Sequence, residues 1–325
     1  MKQIYLYTFI LVFFMSCNDQ SITINKNYKL ADSKKIRASK YKHLPNEQYR
    51  EVVSFGDYYI FSKEHELHAY NKLSADKKIL GTKGRGPKEN IRIWKLKSTN
   101  DFLFLLDIDL SKISIYDTNL KYNEGKLIKF RPYKTFNVDN KYIVHDIDSQ
   151  NNSLGITEWE SLETKEYHKK IIPSGYKPSE YNLSRTTLYK DHIYAKYSAI
   201  DTMYIYDKNS QKLLEVNPIH IKYTQESGNP PVEPFIGDYV DGIMSFFDIF
   251  TVVDKTTIVA RVEGQIVLLK KKNGAYYAVN SIETVDDESF EINIWYFTID
   301  GDDILALSNS LDYTLKIPLS ELMDY

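Results

Sequence analysis

An all-β fold follows from three features of the 325-residue chain: a strand-like alternation recurring about every 45 residues, an abundance of tyrosine, and no long amphipathic helical stretch. Tyr accounts for 27 of the 45 aromatic residues (27 Tyr, 15 Phe and 3 Trp), and Tyr favours the half-buried surface of a pleated sheet. Four short strands in each unit of 40–50 residues is the arithmetic of a propeller blade. The predicted architecture is therefore a six-bladed β-propeller of four-stranded antiparallel blades.

The repeat is carried by two phrases. The first opens on a polar residue and turns aromatic or aliphatic: Asp57-Tyr-Tyr-Ile-Phe61, Asp101-Phe-Leu-Phe-Leu-Leu106, Asn140-Lys-Tyr-Ile-Val144, Asp191-His-Ile-Tyr194, Thr256-Thr-Ile-Val-Ala260 and Asp302-Asp-Ile-Leu-Ala306. Aligned on Tyr59, Leu103, Tyr142, Ile193, Ile258 and Ile304, these are separated by 44, 39, 51, 65 and 46 residues. The second phrase follows 13 to 15 residues later in three units and ends in an amide or acid: Leu67-His-Ala-Tyr70-Asn71, Ile113-Ser-Ile-Tyr116-Asp117 and Met203-Tyr-Ile-Tyr206-Asp207. Both alternate with the period of a strand. Lys-rich apolar text then resumes at Lys77-Lys78-Ile79-Leu80, Lys126-Leu127-Ile128 and Lys212-Leu213-Leu214, giving the outer strand.

A single blade cannot bury both faces, so blades must pack on one another around an axis. The long fourth spacing holds Gly228-Asn-Pro-Pro-Val-Glu-Pro234, read as an inserted loop because Pro cannot serve a central strand. Ile22–Leu30 has strand character and is expected to complete the last blade and remove a free edge. With 13 Gly and 10 Pro, Asn, Asp and Lys must carry the turns. A short helical piece is expected at Leu319–Met323.

Ahead of the repeats, Lys2 and the apolar run Ile4–Met15 precede Ser16-Cys17 and polar Asn18-Asp19-Gln20-Ser21. The run has 12 residues, too few to span a bilayer of about 30 Å. The layout is that of a secretory signal ending in a bacterial lipobox. Residues 1–16 are the expected lipoprotein signal peptide, 17–21 a lipidated tether and 22–325 the propeller. Cys17 is the expected lipidation site, where two or three acyl chains would anchor stably.

Composition narrows the function classes. Apolar residues make up 42% and charged residues 26% of the chain, which excludes disordered, collagen-like and polytopic membrane proteins. The net charge of −2 gives no general pull toward nucleic acid or anionic membranes. One Cys rules out an internal disulfide framework and a Cys-based zinc cluster.

The densest motif is Gly81-Thr-Lys-Gly84-Arg85-Gly86-Pro87-Lys88-Glu89-Asn90, after strand text at Lys78–Leu80. Its glycines allow close backbone passage, and Pro87 pushes Gly86 to an extended shape. The motif is read as a structural crossing from the outer strand of one blade to the inner strand of the next. Anion binding by Lys83, Arg85 and Lys88 is the weaker alternative, since no Gly-Lys-Ser/Thr follows.

Strand, then Gly-x-x-Gly-x-Gly-Pro-x-Glu, then strand, then Asp101-Phe-Leu-Phe-Leu-Leu-Asp107 and a Tyr-Asp phrase resembles the six-bladed β-propeller lipoproteins of Gram-negative bacteria. These are related in architecture to the NHL and TolB-like propellers. The match is densest over residues 57–130. Lys88 stands where that family usually has a second Gly, and Asn90 where it usually has an aromatic. The resemblance implies fold and location in the cell envelope, facing the periplasm or the exterior, more than activity.

No catalytic constellation emerges. His65-Glu66-Leu67-His68 lacks the His-Glu-x-x-His spacing of a zinc protease, and no Gly-x-Ser-x-Gly elbow is present. Asp107, Asp109, Asp146 and Asp148 are weak candidates for channel-facing metal ligands, with solvated turn acids as the favoured reading. Trp94, Trp159 and Trp295 are assigned to packing within blades rather than to sugar stacking. The expectation is a non-catalytic, lipid-anchored protein whose propeller binds a peptide, glycan or partner protein through one face of the ring. It needs no cofactor, does not bind nucleic acid and touches the membrane through its N-terminal lipid. The alternative is a metal-dependent lactonase- or lyase-type enzyme with a divalent cation in the central channel.

Overall fold

The computed structural model describes residues 28–30, 33–130, 135–146, 154–162, 164–166, 184–197, 202–221, 223–225, 247–262 and 264–323. The signal sequence, Cys17, Asp148 and the Gly228–Pro234 insertion lie outside them. The described chain is almost entirely strand.

Four sheets have four strands each. Sheet A takes Glu51–Phe55, Tyr58–Lys63, Glu66–Asn71 and Lys77–Leu80. Sheet B takes Ile93–Ser98, Leu103–Asp107, Lys112–Tyr116 and Tyr122–Leu127. Sheet C takes Phe136–Val138, Tyr142–Asp146, Leu154–Glu158 and Thr164–Glu166. Sheet E takes Ile294–Asp300, Asp303–Ser308, Tyr313–Pro318 and, from the other end of the chain, Lys42–Pro45. Sheet D is nine-stranded. It is an antiparallel meander over 184–220 joined to a second over 247–285 by a short parallel pairing, Ile219↔Tyr276 and His220↔Tyr277. Its ninth strand, Ser33–Arg37, runs parallel to Ala275–Val285.

All six repeat anchors fall in second strands, the most apolar of each meander. Sequence alternation explains why. In sheet B, Leu103 and Leu105 pack with Val53, Ile60 and Leu67 of sheet A. The intervening Phe104 and Leu106 pack with Phe136, Ile143 and Trp159 on the sheet C side. The strand is buried on both faces, so each neighbour supplies half of its core. The same exchange joins C to D through Val144, Ile156, Ile193 and Tyr204, and the two halves of D through Tyr194, Ile205, Ile258 and Val267. D meets E through Val259, Ile266, Phe297 and Ile304, and E meets A through Leu305, Leu307, Tyr59 and Phe61.

The first strands follow the same circuit. Glu51–Phe55 touches Ile93–Ser98, which touches Phe136–Val138, then Ser184–Tyr189, Phe247–Asp254 and Ile294–Asp300, which returns to Glu51–Phe55. The sheets therefore stand around an axis lined by first strands.

Ring closure differs from the expectation at Ile22–Leu30. The closing strand is Lys42–Pro45, antiparallel to Tyr313–Pro318, with Tyr313 opposite Pro45 and Leu315 opposite Lys42. Thr314 Oγ1 holds both backbone groups of Leu44 at 3.1 Å. Pro45 is tolerated because this strand lies at a sheet edge. Tyr28–Leu30 pairs instead with Tyr223–Gln225. The helix Ser320–Met323 presents Glu321 to Lys34, Tyr41 and Lys40, which hold its carboxyl down at about 2.

Turn chemistry accounts for the scarcity of glycine. Asn71, Asp117 and Asp207, the last residues of the recurring phrase, each cap the next turn by accepting backbone N–H bonds, for example from Leu73 and Ser74 at 2.9 and 3.0 Å. Three or four residues further on, Ala75, Leu120 and Gln211 take φ of 59°, 62° and 61°. Side-chain residues thus occupy left-handed positions where Gly is usual.

Candidate functional site

A cavity of about 880 Å³ lies on the axis, within the range of small-molecule sites. Its walls come from the first strands of every sheet. Each meander begins on its inner strand, so the N-terminal ends of these strands gather at one face.

β-Bulges at the second residue of first strands in sheets B, D and E shape that mouth, and two of them carry an indole. In sheet E the register slips between Ile294 and Tyr296, making Trp295 the extra residue. In sheet B it slips between Ile93 and Lys95, making Trp94 the extra residue. Each bulge sits at the second residue of a first strand, and such insertions re-aim a side chain. Both indoles line the cavity. Trp295 is 45% exposed. Its Nε1–H donates to the carbonyl of Arg50 at 3.0 Å, which fixes the plane of the ring. The Arg92 guanidinium lies 5.6 Å from the centre of the Trp94 ring, a cation–π arrangement. The expectation that all three tryptophans pack within blades fails for Trp295, holds in part for Trp94, which is partly buried against the core of Phe104 and Phe136, and holds in full for Trp159. That indole is buried among Phe102 and Phe104, and its Nε1–H donates to Asn140 O at 3.0 Å.

The cavity is strongly basic although the chain carries a net −2. Among the described residues, Arg50, Arg92, Lys95, Lys97 and Arg185 line it against one carboxylate, Glu51. Glu51 is already neutralised: Oε1 accepts from Lys95 Nζ at 2.8 Å and Oε2 from Leu96 N at 2.7 Å. Arg92 reaches Asp109 at 2.7 Å outside the ring. Among the described residues, the Arg50 guanidinium and the Lys97 ammonium have no hydrogen bond or ion pair. Burial pulls Lys97 below the usual lysine range; Glu51 opposes this and the neighbouring Lys95 charge adds to it. Burial raises the Tyr296 hydroxyl, on the same wall, well above the ordinary tyrosine value, and Glu51 adds to the effect.

The glycine-rich crossing lies elsewhere and is closed on itself. Thr82–Lys83 pairs parallel to Glu89–Asn90. Glu89 folds back to accept from Gly86 N at 2.6 Å. A Cβ on Gly84 would stand 2.1 Å from the Glu89 carboxylate, and one on Gly86 2.9 Å. From sheet B the buried Lys112 ammonium donates to the carbonyls of Gly86, Pro87 and Glu89. Asn90 is buried and donates to His65 O at 3.3 Å. Arg85 and Pro87 are exposed, and Gly81 turns with φ of 80°.

The candidate metal ligands are not brought together. Asp107 is fully buried: one oxygen accepts from Ile91 N and Arg92 N at 2.6 and 3.2 Å, the other from Asp109 N and Leu110 N at 3.0 Å each. All its acceptor capacity holds the turn into sheet B. Asp109 pairs with Arg92, and Asp146 accepts from Thr135 N at 3.0 Å. Among the described residues no three His, Cys, Asp or Glu side chains gather as a metal site.

No protein-family model matches the chain, and no curated protein does. Solved structures do. An exported protein of Bacteroides fragilis is 14% identical at a TM-score of 0.51, covering 87% of this chain and 85% of its own. The WD40 repeats of RRP9 are 9% identical at 0.55, covering 90% and 99%. A catalytically inactive virginiamycin B lyase from Staphylococcus aureus, solved with quinupristin, is 13% identical at 0.50, covering 89% and 98%. At these identities the likeness speaks for the fold alone, and the fold is a β-propeller of four-stranded antiparallel blades.

Proposed function

We propose that this protein is an exported, lipid-anchored six-bladed propeller that binds a ligand, without catalysis, at the mouth of its axial channel. Six blades is the count reached when sheet D is divided at its two-residue parallel seam. The circuit of six first strands and the six shared cores support that division. The Ser16-Cys17 lipobox supports the anchor, and the exported neighbour from Bacteroides fragilis supports a place outside the cytoplasm.

The observation that carries the binding reading is the channel wall itself. Folded proteins rarely leave cationic groups half-buried and without partners. Arg50 and Lys97 are held so at no evident gain in stability, beside an indole kept exposed by a bulge. Polar capacity left unmet in a concave site belongs to a ligand.

A photo-crosslinking amino acid at position 298, on the channel wall, should form an adduct in intact envelopes. The same group at position 214, on the outer strand Leu213–His220, should not. The reverse pattern would move binding to the rim. For the anchor, radioactive fatty acid should label the wild type and not Cys17→Ala; equal labelling of both, or of neither, would remove it.

A further inference from the structure

We propose that the channel ligand is an acidic saccharide, a short chain of pyranose rings bearing carboxylates. This rests on the channel being the binding site, as argued above, and adds the chemistry of what it takes.

Three features of the wall converge on that class. First, the sequence contains only seven arginines among its 42 basic residues, yet Arg50, Arg92 and Arg185 all line this cavity. Arginine is the side chain whose planar fork matches a carboxylate with two parallel bonds. Second, Trp295 offers a flat apolar face that makes no aromatic or cation–π contact among the described residues, and its plane is locked by the bond to Arg50 O. The C–H face of a pyranose fits such a platform. The Arg50 guanidinium belongs to the very residue that pins the indole, so a ring stacked on Trp295 would bring its carboxylate to Arg50. Third, the hydroxyls of Thr187, Thr251 and Thr298 line the same wall with no bond to any described residue. They supply the paired donor and acceptor capacity that sugar hydroxyls require.

The alternatives fit less well. A phosphate site gathers backbone N–H donors on one glycine-rich turn. Here the cations stand on three different sheets, and the one glycine-rich loop is absent from the cavity wall and turned inward on Glu89 and Lys112. An acidic peptide would satisfy the cations and leave the Trp295 face and the threonine hydroxyls unused.

The test is calorimetric titration of the full chain, purified in detergent, with an oligogalacturonate. Parallel arms use a neutral galacto-oligosaccharide of the same length, an oligoglutamate peptide and uridine monophosphate. Saturable binding of the oligogalacturonate is expected, weakened about tenfold or more by Trp295→Ala and by Arg50→Gln, as for loss of a charge-assisted bond. Lys272→Gln, on an exposed position outside the channel, should leave affinity unchanged. Both channel residues face the cavity, so melting temperatures should confirm intact folds. Equal affinity for the neutral sugar would overturn the acidic part of the proposal. Tighter binding of the peptide or the nucleotide would overturn the saccharide while leaving the channel as the binding site. Oligogalacturonate binding indifferent to both Trp295→Ala and Arg50→Gln, or no binding at all, would overturn the proposal outright. The crosslinking pattern at position 298 would then decide the fate of the channel site separately.

Discussion

The glycine-rich crossing and the axial channel are both basic, and they treat their buried charges in opposite ways. In the crossing, Lys112 meets three carbonyls, Glu89 folds onto Gly86 N, and Asp107 beneath it accepts four backbone N–H groups. These three charges are consumed by the fold, while Lys83, Arg85 and Lys88 stand exposed on the outside of the loop. In the channel Glu51 is matched to Lys95 and Arg92 to Asp109, while Arg50 and Lys97 line the cavity with no partner among the described residues. The most conspicuous motif in the sequence is thus closed by Glu89 and Lys112, and the channel wall is assembled from residues that look ordinary in one dimension.

That contrast is open to measurement. The largest expected effect is on the closed side. Asp107→Ala removes the acceptor of four part-buried N–H groups and empties a fully buried side-chain position, and unfolding free energy should fall by about 3 kcal/mol in denaturant titration. A loss below about 1 kcal/mol would mean that water reaches the turn.

Acidification probes another closed polar group of similar weight. His145 is fully buried and stacked on Phe130, with Nδ1 3.1 Å from Asp146 O and Nε2 2.8 Å from Thr157 Oγ1. A carbonyl only accepts, so Nδ1 carries the proton and Nε2 receives the threonine hydroxyl. Burial drags its pKa from the ordinary 6.5 to about 4, against the opposing bond to Asp146. Between those two values the unfolded chain binds the extra proton, so stability is full above pH 6.5 and declines as pH falls toward 4. The decline attributable to this ring approaches about 3 kcal/mol. Melting curves across that window should lose this part of their slope in His145→Asn.

Gly84→Ala comes next. Its Cβ meets the Glu89 carboxylate, and a cost of about 2 kcal/mol is expected from overpacking. In a Glu89→Ala background that added cost should vanish; if it persists, backbone strain rather than the carboxylate is responsible.

On the open side the sign reverses. Lys97→Met removes a half-buried ammonium beside Lys95 and should raise stability by up to about 1 kcal/mol, the usual trade between a functional group and the fold. A clear loss would mean that Lys97 holds the ring together, and the contrast drawn above would fail. The smallest effect is Ala75→Gly at φ 59°, where relief of the left-handed strain is offset by a looser unfolded chain. A change within about 0.5 kcal/mol is expected by thermal melting.

The architecture was legible because its strongest signal is local and repeated. Second strands are buried on both faces, so Tyr59, Leu103, Tyr142, Ile193, Ile258 and Ile304 all mark true strands. The amide or acid closing each Tyr phrase marks a capped turn for the same reason. The closing strand was not legible, since Lys-His-Leu-Pro offers one apolar residue and its partner lies far along the chain. Nor was the channel. First strands face solvent on one edge, their bulges break the two-residue period at Trp94 and Trp295, and convergence on an axis leaves no mark in spacing. One faint signal existed: Arg50, Arg92 and Arg185 lie 9, 11 and 8 residues before the anchors Tyr59, Leu103 and Ile193. A rare residue type recurring at one phase of a repeat points to a shared location in the ring.

The clasp between Lys42–Pro45 and Tyr313–Pro318 also sets an order of events. Leu44 must wait for Thr314, a residue made 270 positions later, before its backbone finds its bonding partner. A newly made chain therefore carries an unmatched edge from almost its first folded residues to nearly its last. The loop that the clasp spans is among the longest the chain allows, and its entropy can be recovered only once the intervening sheets have already drawn the two termini together. Circularisation is therefore expected late in folding, and a chain halted short of Tyr313 would lack the partner strand of Lys42–Pro45 and leave that edge exposed.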